Sequence, residues 1–303
     1  MSSFYYHQID PIAFSIGGFG IYWYSLMYLV AFGLFWLLGR VRARRPDSPL
    51  TQEQVGDILF WGVIGVVVGG RLGYVLFYGW SDLLADPLLL FRLRDGGMSF
   101  HGGLTGVLVV IWLYGRKLGC GFLRLGDFVA PLVPLGLAAG RLGNFIGGEL
   151  WGRTTQVPWA VIFPDAIERG GRWSDALYQQ YLAGALDMHA RHPSQLYQAA
   201  LEGVALFVLL WWFSARPRPV GAVGGLFVLG YGIFRFIAEF FREPDAHLGF
   251  VALDWMSMGQ LLSLPMIAAG AALMVYAYRQ DNRLKERRAA AEQNRRKPGK
   301  RPS

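Results

Sequence analysis

Apolar runs long enough to cross a bilayer recur along this chain, and they constrain its fold more than any other feature. A spanning helix needs about 20 predominantly apolar residues. Seven segments are expected to serve: Ile21–Leu38, Val55–Tyr78, Ser99–Tyr114, Phe128–Ile146, Leu196–Phe213, Gly224–Phe241 and Trp255–Tyr278. The fifth is dense in Leu, Val and Trp. Charged residues make up 17% of the chain, below the ~25% of a soluble domain, and the mean hydropathy is +0.31. A polytopic membrane protein is expected rather than a soluble enzyme. Met1–Gly20 carries no Lys or Arg, so no cleavable signal peptide is expected and the first apolar segment should remain as a helix.

Orientation follows from Lys and Arg in the connections, which favour the cytoplasmic side. Arg40, Arg42, Arg44 and Arg45 follow the first span, Arg116, Lys117 and Arg124 the third, and Arg216 and Arg218 the fifth. The loop after the second span offers only Arg92 and Arg94. The N-terminus is therefore expected outside and the C-terminus inside. The chain carries a formal charge of +8, but its densest basic cluster, Arg279–Arg301, directly follows an apolar run. A cytoplasmic juxtamembrane tail accounts for it, and no nucleic-acid partner is expected.

The expected fold is all-α: seven transmembrane helices, a small extracytoplasmic head and short interfacial arm segments. Residues 1–146 hold the first four helices with an arm near Leu83–Leu93. Residues 147–193 are too polar to span and form the head, 194–278 hold the last three helices, and 279–303 form the basic tail. The tail is expected to extend the seventh helix briefly and to be disordered from about Gln293. Gly65–Gly69 and Gly102–Gly106 read as small-residue faces for close helix packing. Cys120 is the single cysteine, so no internal disulfide or CxxC metal site exists.

The costly residues come next. The run Gly140-Arg141-Leu142-Gly143-Asn144-Phe145-Ile146-Gly147-Gly148-Glu149-Leu150-Trp151-Gly152-Arg153 places a charge inside an apolar segment. An arginine there costs roughly 2.5–3.5 kcal/mol on insertion scales, so it needs a partner or a task. On the oriented helices, Tyr24, Arg71, His101, Arg141, Asn144, Arg235 and Glu239 all fall at the outer level, and only Asp127 at the inner end. One polar cavity opening to the outer leaflet explains this segregation; a set of independent ion pairs is the alternative. Tyr231, Arg235, Glu239 and Arg242 share one helical stripe. Arg235 and Glu239 could simply pair with each other, but two arginines at headgroup depth match phosphate oxygens in bidentate geometry. His101 is the one group at that depth whose ordinary pKa, roughly 6.5, suits proton exchange near neutrality. No HExxH helix, GxxxxGK[ST] loop or GxSxG elbow occurs, and acidic residues at membrane depth are too few for a Mg²⁺ site. Neither a metal nor a cofactor is expected.

These residues resemble the bacterial prolipoprotein diacylglyceryl transferase family. The specific block is Gly140–Arg153. Tyr24 in Trp23-Tyr24, Gly70-Arg71-Leu72-Gly73, Phe100-His101-Gly102-Gly103, Arg191-His192-Pro193-Ser194-Gln195-Leu196-Tyr197 and the stretch from Tyr231 through Glu239, Arg242, Pro244 and Asp245 join it. The resemblance runs from about Asp10 to Tyr278 and excludes the basic tail. It implies an inner-membrane enzyme with a site open to the periplasm. Such an enzyme transfers the diacylglyceryl group of phosphatidylglycerol to the lipobox cysteine of a prolipoprotein signal peptide and releases glycerol phosphate. The family's functional positions map onto Tyr24, His101, Arg141, Asn144, Glu149, Gly152, Arg235 and Glu239. On this reading His101 is the base, and Arg141 and Arg235 hold the phosphate. Tyr24 and Asn144 orient the headgroup, and Glu149 and Glu239 orient the arginines or meet glycerol hydroxyls. Arg71 and Tyr231 are added as further contacts to the lipid. A proton-coupled lipid or solute carrier is the competing class, but carriers show internal repeats and interrupted helices, which this sequence does not display.

Overall fold

A computed structural model describes residues 3–92, 96–244 and 248–296. Arg94, Asp245 and the end of the tail lie outside the described residues. The protein is mostly helical, with only two-stranded sheets among the described residues. Four helices are long and apolar enough to cross a membrane, and a fifth crossing results if one bent pair counts as a single span. The chain divides into two compact units, one of Met1–Ala31 with Val133–Ser303 and one of Phe32–Leu132.

In the second unit, α1 (Trp23–Ala43) contributes its C-terminal half, and α2 (Gln52–Phe77) and α4 (Phe100–Lys117) pack along their lengths. Thr51 caps α2 through a reciprocal box with Gln54, at 3.3 and 2.9 Å. The expected glycine faces meet here. A Cβ on Gly65 would sit 2.9 Å from the Gly106 carbonyl oxygen, and one on Gly73 2.7 Å from the Gly102 Cα. Only glycine permits that approach. Between these helices lie α3 (Trp80–Ala85) and a 3-10 turn (Pro87–Phe91), where the sequence placed an arm. Cys120 lies in the turn between α4 and α5 (Phe122–Val129), a pair bent by 120°.

The single span expected over Phe128–Ile146 is broken. A 3-10 turn at Ala130–Leu132 separates α5 from α6 (Pro134–Gly147). Pro131 and Pro134 supply no N–H for an uninterrupted ladder, and Pro134 is suited to the first turn that it occupies. The 14-residue α6 and the 17-residue α10 (Ala222–Ala238) are shorter than a full crossing.

In the first unit, the hairpin β2–β3 (Ile12–Ile16 and Phe19–Tyr22) leads into the start of α1. β1 (Tyr5–Tyr6) pairs in parallel with β4 (Val161–Ile162). Tyr6, Ile162, Leu177, Leu186 and Ala190 close a small core around α7 (Asp175–Leu182). The polar segment 147–193 therefore shares its core with the chain's beginning, which the sequence reading had assigned elsewhere. The helix from Ser194 opens as α8 (Ser194–Gln198), widens into a π segment (Ala199–Ala205) and returns to α-geometry in α9 (Leu206–Phe213). The short strands β5 (Phe250–Ala252) and β6 (Met256–Ser257) precede α11 (Met258–Arg296). That helix continues through Gln293–Arg296, where disorder was expected.

Candidate functional site

The signature block folds as a helix stop. Gly148 takes a left-handed φ of 67°, its N–H donates to the Phe145 carbonyl at 2.9 Å, and the Glu149 N–H donates to that of Asn144 at 2.9 Å. This is a Schellman closure, and the positive φ favours glycine. The chain beyond is held by α8: Gln195 Nε2 donates to the Glu149 carbonyl at 2.6 Å, and Ser194 Oγ to that of Leu150 at 3.1 Å. Gly152 then passes between two backbones, and a Cβ there would lie 2.5 Å from the His192 carbonyl oxygen and 2.7 Å from its Cβ. The Gly152 N–H donates to the His192 carbonyl at 2.9 Å, and Arg153 N–H to that of Phe241 at 2.9 Å. The requirement for glycine at Gly152 is thus one of backbone approach.

Gly143, within α6, has the same use. A Cβ there would come within 2.8 Å of Tyr24 Cδ2 and 3.4 Å of its Cα. That contact sets the start of α1 against α6 beside the buried Asn144. Tyr24 itself is partly exposed, and its hydroxyl is 3.4 Å from that of Tyr28.

Arg141 and Arg235 face one carboxylate. Glu202, on the π segment, places Oε2 3.7 Å from Arg141 Nη2 and Oε1 3.6 Å from Arg235 Nη1. Arg235 Nη2 also pairs with Glu239 Oε1, which receives Arg242 Nη1 at 3.3 Å. Ser257 Oγ donates to Glu239 Oε2 at 2.8 Å, and the Glu239 carbonyl accepts from Arg153 Nη2 at 3.4 Å. Both carboxylate side chains are 1% exposed, whereas Arg141 keeps 22% and Arg235 16%. The carboxylates are the more deeply buried partners, and both arginine side chains keep some exposure, although Arg235 Nη1 is buried. Paired cations of this kind, in a medium of low dielectric, suit an anionic oxygen. Tyr231 lies one turn before Arg235 on α10 and is half-buried, and the Glu149 side chain is exposed.

His101 and Arg71 belong to the other unit. His101 is exposed in the first turn of α4, which Ser99 caps through the Gly102 N–H at 3.2 Å. Arg71 is 3% exposed and turns its donors onto backbone. Nη1 reaches the carbonyls of Gly96 and Gly97, the latter at 3.0 Å, and Nη2 that of Arg92 at 3.0 Å. It thereby ties the chain before α4 to α2, a use the sequence did not suggest for it. The residue missed altogether was Glu202. It is the one charged residue in the apolar run Leu196–Phe213, so the rule that singled out Arg141 would have found it.

The family model described as prolipoprotein diacylglyceryl transferase matches residues 11–276. Proteins named phosphatidylglycerol--prolipoprotein diacylglyceryl transferase are similar over nearly the whole chain. One from Xanthomonas euvesicatoria pv. vesicatoria (strain 85-10) is 57% identical over 276 residues, covering 91% of this chain and 93% of that protein. One from Xanthomonas axonopodis pv. citri (strain 306) is 56% identical with the same coverage. Another, from Xanthomonas campestris pv. campestris (strain B100), is 57% identical over 277 residues, again 91% and 93%.

Proposed function

The chain belongs to the prolipoprotein diacylglyceryl transferase family, and we propose that it moves the diacylglyceryl group of phosphatidylglycerol onto the cysteine thiol of a prolipoprotein, releasing glycerol phosphate. The observation that carries this reading is the pair of partly accessible arginines, Arg141 and Arg235, arrayed over a buried carboxylate. We place the enzyme in the bacterial inner membrane with seven spans, its N-terminus and site periplasmic and its C-terminus cytoplasmic.

The attacking sulfur belongs to the lipobox cysteine of the partner. Its thiol has an ordinary pKa of about 8.5, and only the thiolate attacks well. In the proposed step His101 takes the thiol proton. The thiolate attacks the diacylglycerol carbon bonded to the phosphate oxygen; the C–S bond forms as the C–O bond breaks, and the electron pair leaves with glycerol phosphate. Arg141 and Arg235 hold the phosphate while its second charge develops, which is stabilisation aimed at the transition state. Asn144, Tyr24 and Tyr231 orient the headgroup, and Glu149 meets its hydroxyls. Glu239 braces Arg235, Gly152 fixes the strand that follows Glu149, and Arg71 acts by anchoring the chain that leads to His101.

The test is detergent-solubilised enzyme with phosphatidylglycerol and a lipobox peptide. Glycerol phosphate and lipidated peptide are expected without a sealed vesicle, whereas a carrier releases neither. Arg141→Ala should abolish transfer in protein that still inserts, and full activity in it would remove the phosphate clamp. His101→Gln should lower turnover, and normal turnover from about pH 6 to 9 would remove His101 as the base.

A further inference from the structure

Glu202 and Glu239 are both buried carboxylates beside Arg235, but they are held differently. Glu239 is fully engaged: it accepts the Ser257 hydroxyl at 2.8 Å and pairs with Arg235 and Arg242. Glu202 meets Arg141 and Arg235 only at 3.7 and 3.6 Å, and neither of its oxygens accepts a hydrogen bond. Hydrogen bonds between ionised groups run at about 2.7–2.9 Å. Glu202 therefore supplies charge to both guanidiniums without consuming their donors. Its place is built by the chain, because the π segment turns it towards α6 and Gly203 brings the two backbones together. π-turns of this kind are often retained at functional sites.

We infer that Glu202 is a positioning residue that stands in for the anionic headgroup between turnovers. One oxygen faces each arginine, which holds the pair open at a spacing that a phosphate can take over. When the phosphate arrives, the guanidinium donors turn to it and the carboxylate stays behind them as counter-charge. Its second effect is on release. Glycerol phosphate leaves with one more negative charge than the diester brought, and two uncompensated arginines would retain it. The inference rests on the transferase reading proposed above.

The experiment compares purified full-length wild type with Glu202→Gln and Glu202→Asp, using phosphatidylglycerol, a lipobox peptide and added glycerol phosphate. For Glu202→Gln, the KM for the lipid should fall about threefold, kcat about tenfold and the glycerol phosphate inhibition constant about tenfold, on the scale of a close charge coupling. A purely structural role would lower kcat without tightening inhibition, so an unchanged inhibition constant overturns the inference. Glu202→Asp keeps the charge but withdraws it by a methylene. It should keep the inhibition constant within about twofold while kcat falls about tenfold, and normal kcat in that variant also overturns the inference. A wild type that lipidates no peptide would sink the transferase reading. Glycerol phosphate binding, read by thermal shift on the same proteins, still reports on Glu202: tighter binding by Glu202→Gln upholds its role, and equal binding ends it.

Discussion

Gly203 lies against Ala138 so closely that a Cβ on it would overlap the Ala138 side chain and come within 3.0 Å of its Cα. This contact sets the distance between the π segment and α6, and so between Glu202 and Arg141. Gly203→Ala is expected to destabilise the detergent-solubilised protein by about 1–3 kcal/mol, the ordinary cost of overpacking, and to raise the KM for lipid. Ala138→Gly in the same protein should recover part of both. Thermal unfolding with and without the second substitution checks this, and equal unfolding of Gly203→Ala and wild type would contradict it.

Glu239 gives a second test because it has three side-chain donors. Removing it leaves Arg235 and Arg242 without their shared carboxylate and Ser257 without its acceptor. Breaking a buried pair from one side costs about 3–5 kcal/mol, so Glu239→Ala should unfold well below wild type. Ser257→Ala should cost about 1.5–3 kcal/mol, as a hydrogen bond to a charged group. The two losses should not add, because they share one carboxylate. Additive losses in the double variant would show that Ser257 does not act through Glu239.

Much of the fold and part of the site could be read from the sequence, and what escaped has physical causes. Glycine faces at Gly65–Gly69 and Gly102–Gly106 were legible because no other residue allows that approach. The cost of charge in an apolar run exposed Arg141 and Arg235. Pairing between segments far apart in sequence was hidden. Nothing local says that Tyr5 and Tyr6 will extend Val161–Ile162, or that Arg71 will spend its donors on carbonyls at Arg92, Gly96 and Gly97. The break before α6 was visible in Pro131 and Pro134 but was outvoted by hydropathy. The same cost of charge marks Glu202 in the run Leu196–Phe213; what stayed hidden was the π segment that turns it towards α6, which has no compositional mark.

Arg71 should behave unlike Arg141 when removed. Its donors hold the chain before His101, so Arg71→Gln should loosen that segment by removing hydrogen bonds from a charged group, each of about 1.5–3 kcal/mol. Hydrogen exchange of residues 96–100 should rise, with kcat falling alongside, while glycerol phosphate inhibition stays as in wild type. Arg141→Ala should abolish that inhibition. A loss of inhibition in Arg71→Gln would place Arg71 on the phosphate instead.

His7 carries the pH dependence that the region outside the spans should show. Its ring is fully buried, 5.3 Å from that of Phe145 and 5.2 Å from that of Phe163. Burial lowers its pKa, and the neighbouring Arg172 guanidinium pushes in the same direction, only partly offset by the backbone at Phe145 and at His7 itself and, least, by Asp165. The neutral ring is therefore the folded form. In the unfolded chain His7 titrates near its ordinary value of roughly 6.5. Between that value and the lower folded one the unfolded state binds the extra proton, so stability falls as pH drops through this window and is complete above it. One such group gives a slope of at most about 1.4 kcal/mol per pH unit. Thermal unfolding of wild type should fall as pH drops below roughly 6.5, and His7→Phe, which keeps an aromatic ring between Phe145 and Phe163, should flatten that fall. Identical slopes in the two proteins would assign the acid sensitivity to other groups.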